Sequence, residues 1–227
     1  MKTATSERAR LERRQPDAST RLVQALLGAL CRVLICFPYQ KRTVGLRALP
    51  RRRYLFVCNH VSLLDTLVLG GILWASARMP ILVLGDKAVW RRTWVRRALS
   101  AKLGFLIDRE RLSKDMIRQL ASFGCSAVDF NLIVFPEGTR GDGRNVQECQ
   151  AGIYYVAREA RVPIVPIFIE NMQAVSSKTT PFHPLGGLRA ITVHFGSPWE
   201  PEDYLGLDVD ALRAEVRRRI QALAPRT

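Results

Sequence analysis

A histidine and an aspartate stand five residues apart in the stretch Asn59-His60-Val61-Ser62-Leu63-Leu64-Asp65. An imidazole held by a carboxylate can act as a general base: the carboxylate fixes the ring tautomer and raises the basicity of the free nitrogen. A separation of five is about 500° of helix rotation, so one continuous helix would keep the two side chains apart. They meet if His60 lies on a loop and Asp65 in the first helical turn. Ser62-x-x-Asp65 has the form of a capping box, with Ser62 as N-cap and an N3 carboxylate turned back toward it. Taken alone, the pair is either a base with its orienter or a helix cap beside an ordinary loop histidine.

A second cluster runs Pro136-Glu137-Gly138-Thr139-Arg140-Gly141-Asp142-Gly143 and is followed by Arg144. Glycines permit positive φ and close backbone approach. Exposed amides beside a guanidinium form a cradle for phosphate or carboxylate. The plainer alternative is a surface turn with solvated arginines. A buried Glu137 needs a partner, which Arg140 or Arg109 would supply. Asp108-Arg109 is either an internal ion pair or part of the same anion site. His183 and His194 have no Cys, Asp or Glu at ligand spacing and read as structural, and no metal site is expected.

These clusters need elements to hold them. Tyr54–Cys58, Ile81–Gly85, Gly104–Ile107, Asn131–Phe135, Ile164–Ile169 and Ala190–Phe195 read as strands, and helices are expected over 62–77, 88–102, 111–128, 149–160 and 208–222. The alternation predicts an α/β fold. The strands are apolar runs rather than polar–apolar alternations, which predicts a mostly parallel sheet covered by helices on both faces. Pro166 predicts an edge strand or a bulge. The polar clusters each follow a strand, and open α/β sheets bind ligands outside the carboxyl ends of their strands.

The chain divides into residues 1–40, a basic arm and an apolar membrane-associating helix, and residues 41–227, the catalytic domain. The apolar stretch Leu22–Phe37 has 16 residues, short of the ~20 that span a bilayer. It fits an interfacial or half-inserted anchor, a short span, or a core helix. The lack of a small-residue cleavage site argues against a removed signal peptide. Within Lys87–Lys102, Trp90 and Trp94 stand four apart among Arg91, Arg92, Arg96 and Arg97. That pattern suits either a helix lying on an anionic bilayer or a tryptophan stripe packed in a core.

Composition narrows the classes. Of 227 residues, 48% are hydrophobic and 24% charged, which excludes disordered, collagen-like and disulfide-scaffold chains. Lys and Arg number 35 against 20 acidic residues, a net charge of +15 that calls for polyanionic surroundings. Five cysteines without a CxxC pair read as free thiols in a reducing compartment.

Together the motifs resemble the 1-acylglycerol-3-phosphate (lysophosphatidic acid) acyltransferases, a family of glycerolipid acyltransferases. NHVSLLD at 59–65, GFLIDR at 104–109, FPEGTR at 135–140 and VPIVPI at 162–167 are similar to the family's four motifs, in order and at fitting spacing. The resemblance implies transfer of a fatty acyl group from an acyl thioester, acyl-CoA or acyl carrier protein, to the free hydroxyl of lysophosphatidic acid. The product would be phosphatidic acid, for phospholipid biosynthesis. It implies His60 as general base, Asp65 as its orienter, and Arg109, Glu137, Gly138, Thr139 and Arg140 as binders of the phosphorylated acceptor. It also implies an apolar tunnel for the acyl chain and a place on the cytoplasmic face of the inner or plasma membrane. No metal or bound redox cofactor is called for. Members often carry a basic residue before the glycine after the third motif, where this chain has Gln150-Ala151-Gly152. Another lysolipid or glycerol-3-phosphate is therefore the alternative acceptor.

No Ser or Cys sits in a nucleophile elbow, so direct transfer is expected over an acyl-enzyme. The sequence does not assign the oxyanion donors; backbone amides near the 60–65 helix start are candidates. Rival readings are a basic nucleic-acid-binding protein, a lipid-binding protein without catalysis, and an esterase using the same pair on water. No zinc finger, RRM or helix-turn-helix signature supports the first.

Overall fold

The computed structural model describes residues 18–50, 52–76, 81–86, 93–107, 131–179, 182–185 and 187–225. Among these residues the apolar runs and one polar edge segment form a seven-stranded sheet. The strands are β1 (Gln40–Val44), β2 (Leu55–Cys58), β3 (Ile81–Asp86), β4 (Gly104–Ile107), β5 (Asn131–Val134), β6 (Ile164–Glu170) and β7 (Ile191–Phe195), in the order β1-β7-β6-β2-β5-β3-β4. All neighbours are parallel except β6 and β7. The described helices are α1 (Ala18–Cys31), α2 (Leu64–Ser76), α3 (Trp94–Leu103), α4 (Gly152–Ala160), α5 (Pro201–Tyr204) and α6 (Val209–Gln221).

Residues alternate between two cores, as a sheet covered on both faces requires. Leu55, Val57, Leu132, Val134, Ile164 and Phe168 pack with α4 and α6. Phe56, Cys58, Ile133, Val165, Ile167 and Ile169 pack on the other face with α2 and the end of the N-terminal helix. The strand missed in the sequence is β1, whose Gln40-Lys41-Arg42-Thr43-Val44 is polar because it lies at the sheet's edge, with Lys41 and Arg42 exposed. Charged residues there discourage edge-to-edge pairing.

Pro166 corrects an expectation: β6 is an interior strand, between β7 and β2. The Pro166 carbonyl accepts from the Gly196 amide at 2.9 Å. Pro166 therefore turns its missing N–H to the same side, past Phe195, the last residue that β7 pairs with β6. The one bond that the proline lacks, to the Gly196 carbonyl opposite, falls just past the end of the β6–β7 ladder, where a proline is tolerated.

The N-terminal helix is longer than the apolar stretch that announced it. After α1 it continues through a π-helical turn, Arg32–Cys36, and on to Tyr39, 22 residues that contain an 18-residue window of mean hydropathy 1.8. Its inward face is small or polar: Thr20, Gln24, Gly28 and Cys31 are buried. Gln24 acts like a short piece of strand. Its Nε2 donates to the carbonyls of Ile81 (3.0 Å) and Lys102 (2.9 Å), and its Oε1 accepts the Ile81 amide (2.9 Å). Gly71 of α2 lets the helix backbones touch, since a Cβ there would come 3.1 Å from the Arg32 nitrogen. The outward face carries Leu22, Leu26, Leu30, Val33, Leu34 and Phe37, each at least half exposed. The helix is thus neither a core helix nor a free tether.

Of the helix expected over 88–102, the described residues show Trp94–Leu103, and Trp94 is 80% exposed and so not packed in a core. Trp90, Arg91 and Arg92, and the helix expected over 111–128, lie outside the described residues.

Candidate active site

β2 delivers the chain to the centre of the sheet's carboxyl edge, where the interior strand ends and α2 has yet to begin. The turn between them is organised by two side chains. Ser62 Oγ accepts the Leu64 amide at 3.1 Å, and the Ser62 carbonyl accepts the Asp65 amide at 3.2 Å. The fully buried Asp65 turns back, and its Oδ2 accepts the amides of Val61 (2.7 Å) and Ser62 (2.9 Å). The same oxygen lies 2.8 Å from His60 Nδ1. A carboxylate only accepts, so Nδ1 carries the proton and Nε2 presents its lone pair. Nε2 makes no hydrogen bond among the described residues.

The second cluster folds over the first. The His60 ring stacks on Phe135 with centroids 4.3 Å apart. The His60 amide donates to Glu137 Oε1 at 2.7 Å, and its carbonyl accepts the Gly141 amide at 2.6 Å. Glu137 Oε2 takes the Gln147 amide at 2.9 Å. The buried Glu137 thus finds backbone amides rather than the guanidinium of Arg140; Arg109, the other expected partner, lies outside the described residues. Burial pushes the Glu137 carboxyl above its usual value, and the Gln147 and His60 amides pull part of the way back. It joins the two loops.

Gly138 (φ 68°) and Gly143 (φ 80°) occupy the left-handed region that glycine tolerates, and a Cβ on Gly143 would come 2.4 Å from Gln173 Oε1. Thr139 is exposed and Arg140 half-buried, and the Arg140 guanidinium makes no hydrogen bond or ion pair among the described residues. The Asp142 carboxylate accepts the amides of Arg144 (2.8 Å) and Asn145 (3.0 Å), bonds that hold it below the usual carboxylate range.

Near the 60–65 helix start the amides of His60, Val61, Ser62, Leu64 and Asp65 are engaged within the two loops and build the base. The amide of the exposed Leu63 makes no hydrogen bond among the described residues.

Several supporting residues escaped the sequence reading. Asn59 bridges to β6, accepting the Ile169 amide at 2.7 Å and donating to its carbonyl at 3.1 Å. Ser62 Oγ also meets Ser176 Oγ at 2.7 Å. The back of the glycine loop is held by α6: Arg213 Nε donates to the Cys149 carbonyl (2.5 Å), Arg217 Nε to that of Val146 (2.9 Å), and Gln221 Oε1 accepts the Val146 amide (2.7 Å). The visible signal was the spacing of 213, 217 and 221, one stripe of a helix.

Comparison with known proteins places these residues in company. The Acyltransferase family model matches residues 40–170. A probable 1-acyl-sn-glycerol-3-phosphate acyltransferase of Mycoplasma pneumoniae is 34% identical over 125 residues, 53% of this chain and 45% of the relative. A lyso-ornithine lipid O-acyltransferase of Pseudomonas aeruginosa is 30% identical over 169 residues, 71% of this chain and 58% of the relative. The chain thus spans about half the length of these curated relatives. The crystal structure of the 1-acyl-sn-glycerophosphate (LPA) acyltransferase from Thermotoga maritima shares the fold, with a TM-score of 0.66 at 19% identity over 92% of this chain and 81% of that one.

Proposed function

This chain belongs to the acyltransferase family, and from that premise we propose that it moves a fatty acyl group from an acyl thioester to the free hydroxyl of lysophosphatidic acid, giving phosphatidic acid. The observation that carries the proposal is the His60 Nδ1–Asp65 Oδ2 contact of 2.8 Å, with the other ring nitrogen unengaged among the described residues. His60 Nε2 removes the hydroxyl proton as the oxygen attacks the thioester carbonyl. The tetrahedral intermediate collapses, the C–S bond breaks, and the imidazolium returns the proton to the thiolate. Asp65 stabilises the imidazolium in between. Arg140 meets the acceptor phosphate, supported by the glycine loop and by α6 behind it. The donor is acyl-CoA or acyl carrier protein.

The test is incubation with labelled acyl-CoA and a panel of lysolipids. Lysophosphatidic acid should be the best acceptor. A clear preference for an aminolipid acceptor would move the assignment toward the lyso-ornithine lipid enzymes that the chain also resembles. Acyl release without acceptor would show an esterase. In the same assay Arg140→Ala should raise KM for phosphorylated acceptors about tenfold to a hundredfold, because a charge-assisted phosphate contact is worth roughly 1.5–3 kcal/mol. An equal loss on unphosphorylated acceptors would make Arg140 structural.

We further propose that the protein sits on the cytoplasmic face of a membrane, with the outward stripe of the N-terminal helix in the interface and the inward face on α2. Exposed Lys41, Arg42 and Arg47 add attraction to anionic headgroups. The paired change Leu26→Glu and Leu34→Glu alters side chains that are 62% and 57% exposed, so the fold should survive. Vesicle binding should weaken by about a hundredfold or more, since burying one leucine is worth roughly 1.5–3 kcal/mol. Unchanged sedimentation with vesicles would overturn this placement.

A further inference from the structure

A well-formed cavity in this protein is not lined by His60. That cavity, about 920 Å3, lies toward the amino ends of β2 and β5, where Tyr54 and Asn131 stand, rather than at the carboxyl edge that carries His60. Its walls are the segment from Gln40 to Pro50, the π-helical turn at Arg32 and the middle of α2. Leu46, Leu49, Phe56, Ile72 and Leu73 make an apolar lining. Among the described residues three guanidiniums border it, Arg32, Arg47 and Arg52, and no carboxylate does. Arg52 is committed to Glu200 and to the Tyr54 ring. The exposed side chains of Arg32 and Arg47 make no hydrogen bond or ion pair among the described residues.

A hollow of this size, with an apolar patch on its mixed wall and unpaired cations at its border, has the chemistry of an anionic amphiphile site. A lone phosphate would leave the apolar lining without a partner, and an uncharged lipid would leave both guanidiniums without one. The entrance adds direction. Arg32 follows Leu30 on the N-terminal helix and precedes Val33 and Leu34, all on its bare outward side. A lipid from the leaflet that the stripe touches reaches the cavity without crossing open water.

We propose that this cavity is a second lipid site that binds an anionic phospholipid, its phosphate between Arg32 and Arg47 and an acyl chain against Phe56, Ile72 and Leu73. It is separate from the catalytic crevice. Only the route of entry rests on the membrane placement proposed above.

The experiment is photo-crosslinking of the full chain in vesicles, using phosphatidic acid with a diazirine in one acyl chain and peptide mapping by mass spectrometry. Label should appear on peptides covering 46–49 or 71–73. Unlabelled phosphatidic acid or phosphatidylglycerol should displace it, and phosphatidylcholine or inorganic phosphate should not. The double variant R32Q/R47Q should lose that label by roughly tenfold or more, while any label near 59–65 persists. Circular dichroism would confirm that the variant is folded. Label that survives the double change, or that phosphatidylcholine displaces equally well, overturns the proposal. Displacement by inorganic phosphate would show a free-anion site, and displacement by acyl-CoA would give the cavity to the donor; either also overturns it. The readout needs no turnover, so its failure is distinct from failure of the transfer reaction.

Discussion

His60→Ala leaves a folded protein that has lost about a thousandfold or more of its acyl-transfer rate. A positioned base contributes typically about 10²- to 10⁴-fold. Nothing described nearby can replace it: Asp65 is fully buried, and both Glu137 oxygens are held by backbone amides. The fold should tolerate the loss. The side chain is 18% exposed, and its contacts are the Asp65 carboxylate and the Phe135 face. The backbone bonds that fasten the residue, to Glu137 and from Gly141, do not involve the ring. Transfer measured at saturating acceptor, together with a thermal melt, decides the matter. A folded variant with a substantial fraction of wild-type kcat would show that His60 is not the base.

Asp65→Asn is the more revealing change, because shape is kept and charge is removed. Asp65 Oδ2 gathers the His60 ring and the amides of Val61 and Ser62, while Oδ1 is buried without a partner. The substituted side chain can keep its oxygen where Oδ2 was and place its NH2 where Oδ1 was. The loop then keeps its bonds, but the NH2 is buried unpaired, at a cost of about 1–3 kcal/mol of stability. The imidazolium formed during transfer loses its counter-charge. We expect kcat to fall about 10³- to 10⁴-fold, the scale seen when a catalytic histidine loses its carboxylate elsewhere. KM for the acceptor should stay within about threefold, because Asp65 acts through His60 and not on the phosphate. A rise in KM with kcat preserved would make Asp65 a loop-shaping residue only.

How much of this was legible follows from the range of the interactions. The Ser62–Asp65 cap and the His60 contact are local, so residue types at a fixed spacing sufficed to anticipate them. The sheet's interior was legible because buried strands must be apolar, and β1 was missed because an edge strand need not be. Glu137 was expected beside an arginine because sequence shows charges and hides amides. Its partners are the main-chain nitrogens of His60 and Gln147, 77 and 10 residues away. The ties from Asn59 to Ile169 and from α6 to the 146–149 loop span 64 to 110 residues, and no short pattern encodes them.

The N-terminal helix sets a rule for anyone who wants this protein free of lipid. Gln24 completes the backbone bonding of Ile81 at the start of β3, and Gly28 seats against Trp74. Cutting the helix away would uncover an unpaired strand end and the flank of a core helix, trading a greasy surface for a damaged one. Solubility is better sought by repainting the outer leucines with polar residues while Gln24, Gly28 and Gly71 stay untouched. What looks in sequence like a detachable anchor is, by its inner face, one wall of the catalytic domain.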